Sequence, residues 1–428
     1  MIKRSNGRFD LVVFLAIILA MGSILAACAP APTVEKTAPP VVEKVVKVGD
    51  LTDLTGLGGS TIGILFYVLG DYYKYINEKG GIEGVKIERL WVDTAYKLPP
   101  AITAYDNWRG KIVALTTNIS TQNEALRPKW ENDKMPVISN AVTVPAMYPP
   151  GAIFFARPDY ASQFGWFVDW LVDEYWKEPR PPRVAFITYD NPFGKGSFPA
   201  IPYAERRGVQ IVEKCFIPSL PSDTTAELIR CKDAKADFIF MNTVEPPAAV
   251  VLKDAYRLGL SVAAGGPMTV VLCMQGCSQM TLKLAGAEAC EGYLNLNAVA
   301  TIEETDIPGI KLAHELQNKY YGELKYPYDT YIWGMPQAII TVEGIRLALK
   351  EVGYEKLDSA AVWKALEKAK NIDILGICPP VSFTPTERRG SMSLRMFSVK
   401  GGKAKQIRDW KPCPDLLLEA AKEAGLVK

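Results

Sequence analysis

Residues 46–94 decide the fold of this chain, and they read VKVGDLTDLTGLGGS (46–60), TIGILFYVLGDYYKYINEKGG (61–81) and IEGVKIERLWVDT (82–94). The first segment predicts a short strand that ends in a turn rich in Thr and Gly. In the second, apolar residues recur at spacings of three and four, which predicts a helix with one apolar face. The glycine pair at 80–81 ends that helix, and the alternation over 86–93 predicts a second strand.

The loop over residues 52–61 lies where the first strand's carboxyl end meets the helix. In open α/β sheets, ligands bind at this position. Thr55, Ser60 and Thr61 are therefore candidate hydroxyl donors to a ligand. The turn GLGGS (56–60) also resembles a phosphate loop, but it lacks the glycine spacing and the lysine of a Walker loop. We interpret its glycines as room for a ligand or for closure.

Length and charge limit the classes of function. A chain of 428 residues is too long for one compact core and favours two domains. The net charge of +2 is accounted for by Lys3, Arg4 and Arg8 against Asp10, so the rest of the chain is charge-balanced. Because nucleic-acid binding needs a basic surface, we expect that this chain does not bind nucleic acid. The single histidine, His314, argues against catalytic triads and histidine metal sites.

The N-terminus has the pattern of an export signal. Basic MIKRSNGR precedes an apolar run that is shorter than the ~20 residues of a membrane span. The run ends in LAAC at 25–28, which resembles the bacterial lipoprotein cleavage box. We expect a lipoprotein signal peptide over 1–27, lipidation of Cys28 and a lipidated Pro-rich tether over 28–45. A plain secretory signal and an uncleaved anchor helix are the alternatives.

Export favours disulfides among the seven remaining cysteines. An odd number leaves at least one of them unpaired unless a partner chain supplies the other thiol. Cys273 and Cys277 are spaced for a small disulfide loop, which we prefer to zinc because no histidine or CxxC motif accompanies them. The pairs Cys215–Cys231 and Cys378–Cys413 are weaker expectations.

Strand and helix patterns alternate along the body of the chain, which predicts an α/β fold with doubly wound, mainly parallel sheets. The predicted strands are 112–117, 136–141, 152–157, 183–189, 209–217 and 237–243. The predicted helices are 122–133, 163–176, 197–207, 223–234, 246–258, 308–321, 329–350 and 360–370. From residue 381 the pattern changes to strands with a hairpin at 401–402. Since no nucleophile elbow, Walker loop or dinucleotide fingerprint is present, we expect no catalytic residue, no cofactor and no metal.

Several strings, taken in order, resemble the Leu/Ile/Val-binding group of ABC-transporter solute-binding proteins (the branched-chain amino acid type). The resemblance begins with residues 46–93 and covers nearly the whole mature chain. It continues through ISTQNEALRP (119–128), PVISNAVTVPAMY (136–148), RVAFITYDNPFGKG (183–196), DFIFMNTVEPPAAVVLKDAYRLGL (237–260) and EACEGYL (288–294).

This resemblance implies a type I periplasmic-binding protein, with two doubly wound lobes joined by three hinge crossovers. The crossovers are expected near Arg157, 293–299 and Cys378. Lobe 1 would comprise 46–157 and 296–378, and lobe 2 would comprise 158–295 and 379–428. The lobes of such proteins close on a ligand by hinge motion.

The resemblance also implies a ligand site. Loop amides and hydroxyls of lobe 1 would hold a carboxylate, and these positions fall at 118–121 and 141–143. An aromatic contact from lobe 2 falls on Phe193, with Tyr189 nearby, although packing at the lobe edge also explains both. A further contact falls near Val244 and Glu245. The implied ligand-binding residues are Asn118, Ser120, Thr121, Ala141, Thr143, Tyr189, Phe193, Glu245 and Thr269.

One departure concerns the ligand's ammonium group. The amino-acid binders place an acidic residue after the Gly-Pro that follows the next strand, whereas residues 265–273 here read GGPMTVVLC and contain no carboxylate. Glu245 or Asp190 takes its place, or the ligand has no α-ammonium.

We therefore expect an exported solute-binding protein of an ABC importer that is not an enzyme. It would capture an amino acid, amide or organic acid and act as a monomer. Its partners would be the small-molecule ligand, an ABC permease and, through the lipid anchor, the membrane, either at the outer face of the cytoplasmic membrane or in the periplasm. The alternatives are a ligand-sensing receptor component that acts with a separate signalling protein, and an exported enzyme.

Overall fold

The computed structural model describes residues 43–273 and 279–427, which form two β-sheets with helices packed on them. The predicted signal peptide, the lipidation site Cys28 and the tether up to residue 42 lie outside the described residues. Within the described part of the chain, no helix combines the length and apolarity that crossing a membrane requires.

Twelve strands are described, and they belong to two sheets. Sheet I contains β1–β5, all parallel, in the order β2-β1-β3-β4-β5. Sheet II has the order β12-β11-β10-β9-β8-β6-β7, in which β11 and β12 are antiparallel and the others are parallel. The strands are β1 Val45–Thr52, β2 Lys86–Asp93, β3 Ala114–Thr117, β4 Val137–Ser139, β5 Ile153–Phe155, β6 Arg183–Thr188, β7 Gln210–Phe216, β8 Phe238–Met241, β9 Thr269–Leu272, β10 Leu294–Asn297, β11 Ser393–Lys400 and β12 Lys403–Pro412.

The helices connect successive strands. Those described are α1 Gly59–Glu78, α2 Leu98–Trp108, α3 Ser120–Asn132, α4 Val144–Met147, α5 Tyr160–Trp170, α6 Ile201–Arg206, α7 Thr225–Asp233, α8 Glu245–Arg257, α9 Gln279–Ala285, α10 Ala287–Cys290, α11 Pro308–Tyr321, α12 Asp329–Val352, α13 Ser359–Leu366 and α14 Leu417–Glu423. A π-helical turn, Leu171–Tyr175, extends α5, and a 3₁₀ segment, Gly194–Ala200, precedes α6. The long helix α12 packs against α1 and also contacts β4.

Local sequence explains where these elements begin and end. Gly80 and Gly81 have φ values of 102° and 84°, which glycine adopts without steric cost, and the amide of Gly81 donates to the carbonyl of Ile76 to end α1. Asp159 caps α5, because its Oδ1 accepts from the amide of Ser162 at 2.8 Å. All residues of β3 and β8 are buried, as expected for central strands of parallel sheets.

Both sheets repeat one topology. The order β2-β1-β3-β4-β5 in sheet I matches β7-β6-β8-β9-β10 in sheet II. Strand order reverses between β1 and β3 in the first sheet and between β6 and β8 in the second. Such a reversal leaves a crevice at the carboxyl ends of the strands, where ligands bind in α/β proteins.

The alternating pattern therefore predicted the fold class correctly, and most elements lie within a few residues of their expected bounds. Helix α2 was not expected, although Pro99 and Pro100 open it at positions that tolerate proline.

Two of the expected disulfides are not formed in the structure. Cys215, Cys231, Cys378 and Cys413 are buried free thiols. Cys215 lies on β7 and Cys231 on α7, and the Cys215 thiol donates to the carbonyl of Glu227 on α7 at 3.6 Å. Cys277 lies outside the described residues, and its pairing with Cys273 stays a prediction.

Candidate functional site

A small cavity lies between the two sheets, at the carboxyl ends of their strands. Its volume is about 50 Å³. The cavity is bordered by the loops after β1–β6 and β8 and by residues of α1, α3, α5 and α12. Both reversals of strand order, the switch points of the two sheets, therefore open onto it. The lining residues are Leu57, Gly58, Thr61, Ile62, Leu65, Tyr96, Asn118, Ser120, Asn140, Arg157, Tyr160, Tyr189, Phe193, Val244 and Trp333.

The glycine-rich loop after β1 is organised by Asp53. This buried carboxylate accepts from the amides of Gly56 and Gly58, each at 2.6 Å. Burial raises the pKa of Asp53, and the two amide hydrogen bonds partly offset that increase. The amides of Gly56 and Gly58 thus have an internal acceptor, which supports our rejection of a phosphate loop.

Gly56 also lets this loop approach the segment after β2. A Cβ atom at Gly56 would lie 2.4 Å from the carbonyl carbon of Ala95. Any side chain at this position would clash with that backbone, and only glycine fits. Ala95 and Tyr96 have φ values of 49° and 60°, a sparsely populated conformation for such residues. This backbone places Tyr96 on the wall of the cavity, and strain of this kind concentrates at functional sites.

Asn118 and Asn140 hold the loops after β3 and β4 together. Asn118 Oδ1 accepts from the amide of Asn140 at 3.0 Å. Both side-chain NH₂ groups donate to Gln337 Oε1 on α12, at 3.3 and 3.2 Å. These bonds fix the carboxyl edge of sheet I onto α12.

Arg157 brings a cationic side chain to the cavity. It follows β5, it is only 4% exposed, and its Nη2 donates to the carbonyl of Asn140. Trp333 of α12 also lines the cavity, and its indole N–H has no hydrogen-bond partner within residues 43–273 and 279–427.

Aromatic rings form part of the cavity wall. The Phe193 ring lies 5.4 Å from that of Tyr160 and 5.9 Å from that of Tyr189, measured between centroids. The Tyr189 hydroxyl accepts from the amide of Val244 at 3.4 Å. Burial raises the pKa values of Tyr96, Tyr160 and Tyr189, so these hydroxyls stay neutral hydrogen-bonding groups.

Glu245 bridges elements that pack on different sheets. It is the first residue of α8 and is fully buried. Its Oε2 accepts from Thr61 Oγ1 of α1, and its Oε1 accepts from Thr330 Oγ1 of α12 at 2.8 Å. A carboxylate is also favoured at a helix N-terminus by the helix dipole. This one side chain therefore joins α8 to both α1 and α12.

Five of the residues expected at the site line the cavity: Thr61, Asn118, Ser120, Tyr189 and Phe193. The other seven lie elsewhere around it. Thr55 is exposed and donates to Asp93 Oδ2 at 2.7 Å, Ser60 is exposed, and Thr121 is half-buried on α3. Glu245 does not line the cavity but accepts a hydrogen bond from Thr61, which does.

The remaining three expected residues have backbone or packing roles in the structure. Ala141 uses its amide to donate to Ser139 Oγ and its carbonyl to accept from Asn123. The Thr143 hydroxyl donates to Glu124 Oε1 at 2.6 Å. Thr269 begins β9, at the end of that strand remote from the cavity.

Sequence reasoning missed several lining residues, among them Tyr96, Asn140, Arg157, Tyr160 and Trp333. The carboxyl end of a predicted strand is a signal that would have drawn attention to Asn140 and Arg157. Trp333 has no such signal, because it lies within a long apolar helix. Within the described residues, no group of three or more His, Cys, Asp or Glu side chains is placed to hold a metal ion.

The sequence profile described as "Periplasmic binding protein" matches residues 45–404. A comparison with curated protein sequences gives no match.

Three solved structures illustrate the structural likeness. A branched-chain amino acid ABC transporter protein from Thermus thermophilus with bound valine is 24% identical, with a TM-score of 0.79, over 89% of this chain and 98% of that one. A fatty acid ABC transporter substrate-binding protein from Thermomonospora curvata is 21% identical, with a TM-score of 0.75, over 91% of this chain and 98% of that one. A leucine-binding protein from Thermotoga maritima is 18% identical, with a TM-score of 0.68, over 86% of this chain and 99% of that one. At these identities the likeness establishes the fold, and it confirms the predicted type I periplasmic-binding architecture.

Proposed function

Because this chain belongs to the periplasmic binding protein family, we propose that it captures a small organic solute and delivers it to the permease of an ABC importer. The observation that carries this proposal is the cavity at the two switch points, lined by residues from loops of both sheets. A solute bound there contacts both halves of the molecule at once and favours their closure.

The solute classes follow from the walls of the cavity and from the neighbours. Apolar side chains, neutral tyrosines, side-chain amides and one guanidinium suit an amino acid, an amide or an organic acid. Among structural neighbours, one holds valine and another is described as a fatty acid transporter protein. The family and these neighbours are solute-binding proteins, and a binding role without catalysis is the simplest assignment for this chain.

The two sheets support the lobe division proposed from the sequence. Residues 46–157 and 296–378 would form lobe 1 around sheet I, with α11 and α12 packed on α1. Residues 158–295 and 379–428 would form lobe 2 around sheet II. On this division, the Glu245 bonds to Thr61 and Thr330 join lobe 2 to lobe 1.

Export and lipid anchoring belong to the same proposal. The family works outside the cytoplasm, and LAAC at 25–28 supplies the cysteine for lipidation. Cys28→Ser is expected to abolish incorporation of labelled fatty acid and to release the protein from the membrane fraction. Unchanged labelling of this variant would contradict the anchor.

A thermal-shift panel of amino acids, amides and organic acids tests the binding role. A solute that binds only the folded protein raises the melting temperature with concentration. We expect one chemical class in the panel to produce that rise, and a panel in which no solute does so would count against the proposal. Affinity capture of a permease would favour the importer, whereas capture of a kinase or chemoreceptor would favour the sensing alternative.

A further inference from the structure

We infer that the solute is a small carboxylate without an ammonium group, and that Arg157 is its charged partner in the cavity. This inference rests on the proposed function and narrows its solute class. Three groups of observations carry it: the hydrogen-bond donors that meet at the cavity, the placement of the acidic residues, and the size of the space.

Arg157 supplies a fixed positive charge at the right place. The residue lines the cavity while 96% of its surface is buried, and the Asn140 carbonyl holds Nη2 in position. A guanidinium presents several N–H donors in a planar fork that matches a carboxylate. A guanidinium held in this way is pre-organised for an acid.

Helix ends add to the positive potential of the cavity. The first residues or N-caps of four helices line it, namely Gly58 before α1, Ser120 of α3, Tyr160 of α5 and Val244 before α8. Each helix is longer than two turns and directs the positive end of its dipole toward the same space.

Trp333 provides independent evidence for an acceptor. Its side chain is 2% exposed and lines the cavity, and its N–H finds no acceptor within the described residues. A buried N–H without a partner is unfavourable, and an oxygen of a bound acid would satisfy it.

The acidic residues that an ammonium group would need are placed elsewhere. Asp190 forms an ion pair with Lys195, and its side chain is 65% exposed. Both oxygens of Glu245 accept from threonine hydroxyls, and the residue does not line the cavity. No aspartate or glutamate is among the described lining residues, and the sequence MQGCS at 274–278 adds none. An ammonium ion buried here would lack a counter-charge, which is costly.

The space also limits the size of the acid. A water-sized group needs about 10–15 Å³ on this measure. The cavity of about 50 Å³ exceeds this several times over, yet it is small for an organic solute, so the structure favours a short acid. Leu57, Ile62 and Leu65 line the side that would hold the solute's body. A short branched or cyclic hydrocarbon with one carboxylate fits this description.

Three solutes with one carbon skeleton test the inference on the unmodified protein. Isovalerate is the predicted type, valine adds an α-ammonium group, and isovaleramide removes the charge. We expect isothermal titration to show at least tenfold tighter binding of isovalerate than of the other two. Equal or tighter binding of valine or isovaleramide would overturn the inference while leaving the solute-binding role intact.

The panel described above separates the two possible failures. If none of the three binds and another carboxylate without an ammonium group does, the inference stands for that acid. If the solute that binds carries an ammonium group or no charge, the inference fails. If no solute of any class binds, the proposed function itself fails.

Variants test Arg157 directly. Arg157→Met is expected to weaken binding of the acid at least tenfold, with Arg157→Lys intermediate. Arg206→Met, which removes an exposed guanidinium from α6, should leave affinity unchanged. Trp333→Phe removes the N–H together with part of the buried indole ring, and it should weaken binding of the same acid severalfold. This variant tests the inference if Arg157→Met does not fold. Unchanged affinity in a folded Arg157→Met protein would overturn the role of Arg157.

Discussion

Asp329 is a buried carboxyl group at the first position of α12. Its Oδ1 accepts from the amide of Ile302 at 2.7 Å and from Gln279 Nε2 at 3.0 Å. Burial outweighs these bonds and raises the pKa of Asp329 from its usual 3.8 to about 7, with Glu303 adding to the shift and Arg395 opposing it. At neutral pH, folding therefore suppresses the ionisation of this group.

The raised pKa predicts a pH dependence of stability. Between about pH 4 and pH 7, the folded protein holds a proton that the unfolded chain releases. The stabilisation is complete below the unfolded pKa and is lost as pH rises through about 7, with a slope of up to about 1.4 kcal/mol per pH unit. Asp329→Asn keeps an acceptor oxygen and removes the ionisation, so its free energy of unfolding should depend less on pH in this window.

Urea unfolding at pH 5 and pH 8 measures this difference. Asp190→Asn, at an exposed carboxylate, is the matched control and should follow the unmodified protein. An Asp329→Asn protein whose stability changes with pH as much as that of the control would contradict the assignment.

At the scale of elements, three helices meet at Glu245. Helix α8 begins with this residue, and α1 and α12 each direct one threonine hydroxyl at its carboxylate. Thr61 also lines the cavity, whereas Thr330 does not. The bond to Thr330 thus connects the two sides of the cleft without touching the solute.

Thr330→Val should therefore weaken solute binding without changing the cavity wall. Loss of one donor to a buried carboxylate costs about 1–3 kcal/mol, or about 5- to 150-fold in Kd if the closed state alone makes this bond. Thr341→Val is the matched control, because the Thr341 hydroxyl donates to a carbonyl of its own helix. Titration of both variants with the best solute from the panel measures the difference, and equal affinities would show that the bond does not support closure.

At the scale of the molecule, an ion-pair cluster around the buried Arg389 joins segments far apart in sequence. The Arg389 side chain is only 2% exposed. It forms ion pairs with Asp159 at 3.0 Å, Asp415 at 2.9 Å and Glu387 at 2.6 Å. The backbone of Arg389 pairs with Phe155 at the end of β5. The cluster therefore lies where the chain passes between the two sheets.

Arg389→Met should destabilise the whole protein. Asp159 is fully buried, and removal of its cationic partner costs about 3–5 kcal/mol. Arg206→Met breaks a surface ion pair whose guanidinium is 57% exposed, and it should destabilise the protein far less than Arg389→Met does. Urea unfolding measures the free energy of unfolding of both variants. Similar losses of stability in Arg389→Met and Arg206→Met would mean that the Arg389 cluster contributes no more than a surface ion pair.

Solute binding should also change the shape of the molecule. Hinge closure brings the two sheets together, so the radius of gyration from small-angle X-ray scattering should fall on saturation with a bound solute. A solute that produces no thermal shift is the control. An unchanged radius at saturation would indicate binding without closure.

The sequence alone determined the class and order of the elements. Strand β2 has the predicted bounds 86–93, and α1 ends where the glycine pair predicts, because alternation, helical periodicity and glycine conformation act over a few neighbouring residues. The same local rules placed Thr61 after the first strand, and the family resemblance pointed to Asn118 and Ser120. All three residues line the cavity.

Only the tertiary structure decided which side chains meet in the cavity. Tyr96 and Arg157 are far apart in the chain, and they converge because parallel strands bring their carboxyl ends to one edge of the sheet. The packing of α12 on α1 and β4 brings Trp333 to the same cavity. Packing also directed the Thr143 hydroxyl to Glu124 and the Glu245 carboxylate to Thr61 and Thr330. Periodicity gives the positions of residues along a strand or helix, whereas the direction of a loop side chain depends on contacts with residues that no local pattern contains.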